Sequence, residues 1–375
     1  VRTIQQKIEN NLFRGKIIIL YGARRTGKTT LCNLLLKKYP EKSKYINCEL
    51  LQNQQALSTK NSELLKDFLG DFRLVVLDEA QEIKDIGAIL KIIVDTFPEI
   101  QIIATGSSSF DIAQKTSEPL TGRTREYVLY PLSIEEVTKA HDIIFPQARI
   151  ANILRFGMYP SVFNTGEGYA IEELHEIASK YLYKDILSFK QLKRSDLVVN
   201  LLQALALQLG NEVSITQLAN MLKENHHTIQ TYLELLEKCF IIFRLRAFSR
   251  NLRSEITSAN KIYFYDLGIR NALINNFNQL TIRQDIGALW ENFCILERRK
   301  RNQNHRLFTN TYFWRTYEQK EIDYIEEAGG ELSAFEFKWS TDARVKKPME
   351  FFVTYPQSTF TVIHQENWKP FLLKK

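Results

Sequence analysis

Lys16-Ile17-Ile18-Ile19-Leu20-Tyr21-Gly22-Ala23-Arg24-Arg25-Thr26-Gly27-Lys28-Thr29-Thr30 is the stretch on which the fold turns. Residues 16–21 are an apolar run of the kind buried on both faces of a parallel sheet, and Leu31–Tyr39 behind them has helical spacing. Between the two, Gly22–Thr30 fits Gly-x-x-x-x-Gly-Lys-Ser/Thr in the strand, loop, helix context that the pattern requires. The glycines permit successive backbone N–H groups to point inward, and a helix N-terminus favours anionic oxygens. Gly22, Ala23, Arg24, Arg25, Thr26, Gly27, Lys28, Thr29 and Thr30 are therefore expected to cradle a nucleoside triphosphate, ATP with Mg²⁺. Lys28 is expected to bridge the β and γ phosphates during catalysis, and the Thr29 hydroxyl to bind Mg²⁺.

A second signature supports the first. Arg73-Leu74-Val75-Val76-Leu77-Asp78-Glu79 is an apolar strand ending in two carboxylates. Asp78 is expected to hold the metal through water and Glu79 to polarise an attacking water, which points to hydrolysis rather than binding alone. The run Gln101–Thr105 ends in Thr105-Gly106-Ser107-Ser108-Ser109, polar residues where Thr105 can sense a γ-phosphate; a helix cap with a tight turn is the plainer reading. Leu120-Thr121-Gly122-Arg123-Thr124-Arg125 precedes the last strand, and Arg123, ahead of Arg125, is expected to stabilise phosphate charge in its own or a neighbouring subunit. Lys16–Tyr21, Lys44–Asn47, Arg73–Leu77, Gln101–Thr105 and Glu126–Tyr130 read as strands alternating with helical patterns. That alternation predicts an α/β doubly wound parallel sheet over residues 1–135.

Beyond it, 136–210 reads as a helical region, with Glu172–Phe189 and Asp196–Leu209 as long periodic stretches. Residues 211–280 read as winged-helix-like: Ser214 caps a helix to Met221, a turn follows at Lys223–His226, and Thr228–Lys238 is a second helix. Two β-rich pieces, Phe240–Leu245 and Lys261–Tyr265, flank an Arg-rich loop. Residues 281–375 read as a small α/β domain, with a helix at Asp285–Arg301 and strands at Thr311–Arg315, Ile322–Ile325, Leu332–Trp339 and Thr359–Ile363.

With 44% hydrophobic and 25% charged residues the chain has the composition of a globular protein. Its four cysteines form no CxxC pair, so a zinc ribbon or disulfide scaffold is not indicated. Its apolar runs fall short of a membrane span, and a soluble, cytoplasmic protein without a membrane partner is the expectation. The net charge of +7 is concentrated: residues 241–320 hold 14 Lys or Arg against 6 Asp or Glu. Arg244, Arg246, Arg250 and Arg253, and the run Arg298-Arg299-Lys300-Arg301, can neutralise nucleic-acid phosphates; a solvated basic surface is the competing reading.

In order, Gly22–Thr30, Leu77–Gln81, Thr105–Ser109, Leu120–Arg123, Pro131–Ser133, Gly157-Met158-Tyr159-Pro160, Tyr263–Gly268 and Gly287–Phe293 resemble the motifs of a bacterial and archaeal AAA-type P-loop ATPase family with a C-terminal domain of unknown function. The resemblance implies a restriction-endonuclease-like (PD-(D/E)xK) fold for the C-terminal part. On it, Asp323 and, 13 residues later, Glu336 with Lys338 form the candidate catalytic set. Glu336 and Lys338 share a strand face by period-two alternation, so Asp323 and Glu336 can hold Mg²⁺ while Lys338 stabilises developing charge. Glu291 on the preceding helix is a further candidate ligand. The plain alternative is an ion pair of Glu336 with Lys338 on a solvated face and Asp323 in a turn. Together these readings predict Mg²⁺-dependent ATP hydrolysis coupled to nucleic-acid binding, DNA ahead of RNA, with possible homo-oligomerisation and with cleavage by the C-terminal domain. The alternative is an ATP-gated nucleic-acid-binding regulator or scaffold whose nuclease-like domain is inactive.

Overall fold

The apolar runs identified above become five parallel strands: β1 (Ile17–Tyr21), β2 (Ser43–Asn47), β3 (Leu74–Asp78), β4 (Gln101–Gly106) and β5 (Thr124–Val128), in the order β2-β3-β4-β1-β5. The computed structural model describes residues 2–107, 120–140, 149–182, 194–249, 260–316 and 318–373. By contacts the chain divides into two units, Val1–Pro131 with Lys238–Phe240, and Leu132–Glu237 with Ile241–Lys375.

In the first unit β1, β3 and β4 are buried along their whole length. Their residues alternate between two apolar layers, as a strand covered on both faces must. Ile17, Ile19, Val75, Leu77 and Ile102 pack with Leu65 and Leu69 of α4 (Ser62–Leu69) and Ile86, Leu90 and Ile93 of α5 (Ile86–Thr96). Ile18, Leu20, Val76 and Ile103 pack with Ile8 of α1 (Gln5–Glu9) and Leu31 and Leu35 of α2 (Lys28–Leu36). A short helix, α3 (Leu51–Leu57), follows β2. The strand expected at Glu126–Tyr130 lies two residues earlier, because pairing starts where the Ile17 N–H donates to the Arg123 carbonyl (2.9 Å).

The second unit opens with helices, and among the described residues no strand occurs between 132 and 210, as the periodicity predicts. They are α6 (Ile134–Ala140), α7 (Ile150–Phe156), α8 (Glu167–Glu176), which runs on as a π-helical Ile177–Leu182, and α9 (Ser195–Leu207). The Pro131–Ser133 motif proves to be a reciprocal helix cap: the Ser133 N–H donates to Glu136 Oε2 (3.0 Å) and the Glu136 N–H to Ser133 Oγ (3.2 Å). Next come β6 (Glu212–Val213), α10 (Ile215–Leu222), α11 (His226–Lys238), β7 (Ile242–Ala247), β8 (Asn260–Phe264) and α12 (Leu267–Leu273). The chain then runs through α13 (Ile286–His305), β9 (Asn310–Arg315), β10 (Glu321–Ala328), β11 (Glu331–Phe337), α14 (Met349–Thr354), β12 (Thr359–Ile363) and α15 (Trp368–Leu372).

One seven-stranded sheet, β12-β11-β10-β9-β7-β8-β6, crosses the boundary read at residue 280, through parallel pairing of Arg246 with Tyr312 and Ala247 with Phe313. The two stretches read as separate domains thus share a sheet. The later part of the 172–189 helical stretch and the Arg250 and Arg253 positions lie outside the described residues.

Two of the short motifs meet in a single joint between α7 and α12. Asp266 caps α12 by accepting from the Ile269 N–H (3.2 Å), and its other oxygen accepts from the Met158 N–H (2.7 Å). A Cβ on Gly157 would lie 2.0 Å from Asp266 Oδ1, and one on Gly268 2.2 Å from the Phe156 carbonyl oxygen. Both glycines are therefore contact requirements of this joint.

Candidate nucleotide site and a second charged cluster

In a parallel sheet every strand ends on the same edge, so the loops after β1, β3 and β4 gather together. Gly22 leaves β1 so close to β5 that a Cβ there would sit 2.2 Å from the Leu129 carbonyl oxygen. Its glycine is demanded by backbone packing as much as by a phosphate. Gly27, at φ 96°, precedes the first residue of α2, and Arg25 also takes a positive φ of 62°. The Thr26 hydroxyl, fully buried, donates to the Ala23 carbonyl (2.8 Å) and pins the loop. Lys28 is buried, its ammonium donating to the carbonyls of Gly22 (2.8 Å) and Ala23 (3.1 Å), so a positive charge lies inside the loop. Arg24 points to Glu49 (3.8 Å), and Thr30 is exposed on the first turn of α2.

Asp78 organises the floor. It accepts from the hydroxyls of Thr29 (2.7 Å), Tyr45 (2.5 Å) and Thr105. Thr105 in turn accepts from the Glu79 N–H (3.0 Å), which ties the end of β4 to the residue after β3. Glu79 holds the left-handed conformation, φ 52°, and its Oε2 accepts from Gln81 Nε2 (2.5 Å). Non-glycine residues in that region cost about 1–3 kcal/mol and cluster at functional sites. Burial first, then the hydrogen bond and charge of Asp78, hold the Tyr45 hydroxyl well above the usual phenol range. Tyr45 was not singled out from sequence; its position on the strand beside β3, Tyr45 opposite Val76, was the available signal. Ser108 and Ser109 lie outside the described residues.

Oxygen donors from Thr29 and Asp78 within 2.7 Å of each other, beside a buried ammonium and a helix N-terminus, form a donor set that fits Mg²⁺ and a nucleotide phosphate. All four cysteines are buried, and burial, then the charge of Asp78, pushes the Cys48 thiol up to about 12, away from a reactive thiolate.

Arg123 needs correcting as a contributor to its own site. It precedes β5, whereas the phosphate loop follows β1, and the register Ile17 to Thr124 puts it on the opposite edge of the sheet. Five residues of strand, roughly 17 Å, separate the two edges. There Arg123 pairs with Asp95 (2.7 Å), and Arg125 donates to Asn11.

The second unit brings Asp323, Glu336, Lys338 and Glu291 together. The antiparallel register Tyr324 to Phe335 sets Asp323 opposite Glu336. Asp323 is a buried strand residue, not a turn residue, and one of its oxygens accepts from the Phe337 N–H (2.9 Å). Lys338 reaches Glu336 (2.7 Å) and Asp323 (3.9 Å), as period-two alternation predicts. Phe337 packs on the other face against Phe371 of α15, ring centroids 5.7 Å apart. Lys261 was not singled out from sequence: from β8 its buried ammonium contacts Glu291 (3.0 Å), Glu321 and Asp323 (3.9 Å). Tyr263 donates to Glu291 as well (2.5 Å). Burial, then the charge of Asp323, raises Glu291 above the usual carboxylate range. Burial alone would lower Lys261, but the carboxylates of Glu291, Asp323 and Glu321 outweigh it and hold the amine charged. Among the described residues no group of three or more His, Cys, Asp or Glu side chains is disposed to hold a metal ion. Asp323, Glu336 and Glu291, expected as metal ligands, converge on the ammonium groups of Lys261 and Lys338.

The basic stretch also turns inward. Arg298 clamps Glu326 (2.9 and 2.5 Å) and lies over the Phe371 ring, 4.7 Å from its centroid. Arg299 covers Phe243, Lys300 is buried on Glu297 (2.7 Å), and Arg244 grips Glu237 (2.8 Å). Arg270 and Arg283 share Asp285, which they hold down at about 2 against the effect of its burial. Among the described residues, Arg244, Arg298, Arg299 and Lys300 are thus paired or stacked within the second unit, whereas Arg246, Arg306 and Lys320 are exposed.

Residues 14–138 match the family described as AAA domain, residues 147–280 a domain of unknown function (DUF8612) and residues 286–367 another (DUF4143). The uncharacterized protein Rv2008c of Mycobacterium tuberculosis is 25% identical over 93% of this chain and 76% of its own. The uncharacterized protein MJ1544 of Methanocaldococcus jannaschii is 28% identical over 82% of this chain and 72% of its own. Among solved structures, the Walker-type ATPase PABY2304 of Pyrococcus abyssi superposes with TM-score 0.50 at 19% identity, covering 72% of this chain and 94% of that one. No helix among the described residues is long and apolar enough to cross a membrane. Residues 14–138 thus match the AAA domain and have, in their sheet and phosphate loop, the fold of a P-loop ATPase.

Proposed function

We propose that this chain is a Mg²⁺-dependent ATP hydrolase that uses Glu79 to activate water. The observation that carries this reading is the chain of contacts from Thr29 through Asp78 and Thr105 to the Glu79 backbone. In it Lys28 would turn from the loop carbonyls to the ATP phosphates, and Thr29 and Asp78 would hold the Mg²⁺. When bound, Mg²⁺ supplies positive charge against the phosphate oxygens. Glu79 orients and deprotonates the attacking water, and Gln81 positions its carboxylate. Thr105 links the γ-phosphate end of the site to Glu79. Glu79→Gln should lower ATP turnover by about 10²–10⁴-fold with nucleotide affinity retained. Lys28→Ala should lose binding itself. Unchanged turnover in both variants would remove the hydrolase reading.

The output we propose is nucleic-acid binding by residues 211–280, with DNA ahead of RNA. The order β6, α10, turn, α11, β7, β8 supports a winged-helix-like element, and Asn225, His226 and His227 are exposed where α11 begins. Residues 281–375 are read as a restriction-endonuclease-like domain that binds without cutting. A DNA affinity that falls steeply with salt is expected. Equal, negligible retention of single- and double-stranded DNA and RNA at low salt would favour a protein scaffold instead. In a homo-oligomer, Arg123 would serve only a neighbouring subunit's site.

A further inference from the structure

We infer that Lys261 acts as a built-in cation at the Glu291, Glu321, Asp323 and Glu336 cluster, occupying the role that a divalent metal would have in a nuclease-like site. The inference is independent of the ATP reading, since every group in it lies in the second unit.

The carboxylate–lysine motif of β10 and β11 suggests a metal only while the rest of the sheet is unknown. In the folded unit β8 delivers the Lys261 amine to the same point. The side chain is 3% exposed, its ammonium lies 3.0 Å from Glu291 Oε1 and 3.9 Å from Asp323 Oδ1, and it also pairs with Glu321. An ammonium of this reach donates to several oxygens at about 2.8–3.0 Å, whereas Mg²⁺ needs oxygens at about 2.0–2.1 Å in near-octahedral array. One oxygen of each of Glu291, Asp323 and Glu336 is already committed to a hydrogen bond. Glu291 Oε1 takes both Lys261 and Tyr263, Asp323 Oδ2 takes the Phe337 N–H, and Glu336 Oε1 takes Lys338. Glu336 Oε2 is buried without a hydrogen-bond partner, and a single such oxygen offers one ligand at most.

Charge gives the same result. Four carboxylates face Lys261, Lys338 and, through Glu321, Arg315 (3.8 Å), so the cluster is nearly neutral as it stands. A divalent ion placed among the carboxylates would sit against the ammonium in a water-poor site, where like charges a few ångströms apart repel strongly. Metal and Lys261 exclude one another. The Lys261 ammonium also lies over the Phe313 ring, 5.6 Å from its centroid, which adds a further contact anchoring the amine in the sheet. A carboxylate set that looks catalytic in sequence is, on this geometry, a structural hub joining β8, α13, β10 and β11.

The test is Mn²⁺ binding to the nucleotide-free full-length chain, followed by calorimetry and by the paramagnetic resonance of the free ion. Wild type and Asp323→Asn should take up Mn²⁺ equally. Lys261→Met, which removes the ammonium and keeps the apolar stem, should gain at least tenfold in Mn²⁺ affinity, and Lys261→Met/Asp323→Asn should lose that gain. Wild-type uptake that falls when Asp323 is replaced would overturn the inference, as would a folded Lys261→Met variant that gains nothing. Should Lys261→Met fail to fold, the wild-type and Asp323→Asn pair still decides the matter.

Discussion

Gly157→Ala is the substitution from which the second unit has most to lose. Gly157 has φ 71°, where an L side chain costs about 1–2 kcal/mol. Its added Cβ would lie 2.0 Å from Asp266 Oδ1 and 2.5 Å from Oδ2, too close for a carboxylate to remain. Moving it away forfeits the bonds from the Met158 N–H (2.7 Å) and the Ile269 N–H (3.2 Å). Bonds to a charged acceptor are worth about 1.5–3 kcal/mol each. The loss comes to about 4–8 kcal/mol, against a total stability of about 5–15 kcal/mol for an ordinary domain. The assay is urea unfolding of the full chain followed by tryptophan fluorescence. All four tryptophans, Trp290, Trp314, Trp339 and Trp368, belong to the second unit, so the signal reports it alone. At about 2–3 kcal/mol per molar urea the midpoint should fall by roughly 2 M or the unit should be unfolded from the outset. Gly287→Ala is the control, since a Cβ there meets nothing within 4 Å. A Gly157→Ala midpoint within about 1 kcal/mol of wild type would refute the contact argument.

Three further outcomes are expected. Burial pushes the Asp266 carboxyl up to about 6 in the folded chain, against the bonds from Met158 and Ile269 that pull it down. Its unfolded value is about 4, so the folded state binds the extra proton between the two; this group's contribution is fully present below pH 4 and is lost as pH rises through 6, about 3 kcal/mol in all. Subtracting the pH profile of Asp266→Asn from that of wild type isolates the slope, and coincident profiles would count against it. Gly22→Ala should abolish nucleotide binding, because its Cβ would meet the Leu129 carbonyl at 2.2 Å, and equilibrium dialysis with ATP reads this directly; undiminished binding would show that the loop yields. Arg123→Ala should leave turnover of dilute monomer within about twofold, given a separation of roughly 17 Å from the phosphate loop. A larger loss at every protein concentration would mean the arginine does reach its own site.

Where the sequence was legible, the reason is locality. Ile17–Tyr21 and Leu74–Asp78 are apolar at every position because both faces are covered, and strands of that kind announce themselves. The phosphate loop is similarly self-contained, its backbone held by Thr26 on Ala23 and Lys28 on Gly22 and Ala23, within seven consecutive residues. That Arg123 lies away from its own phosphate loop was already present in the strand assignments. A residue that precedes a parallel strand and a loop that follows its neighbour must lie on opposite edges, and that rule needed only the strand assignments already made.

The charged residues failed for a different reason. A count over residues 241–320 registers Arg298, Lys300 and Arg244 as excess charge, while their partners are placed by the fold: Glu326 and Glu237 lie outside the counted stretch and Glu297 lies one helical turn from Lys300. The same limit governs the carboxylate cluster. Its acids come from α13, β10 and β11, and their meaning depends on an amine from β8, 62 residues before Asp323. Two residues apart on one strand, Glu336 and Lys338 could be paired by alternation alone; no spacing rule reaches Lys261. An acid–lysine motif therefore specifies a metal site only when the sheet leaves the point between its carboxylates to the metal, and here β8 puts an ammonium there.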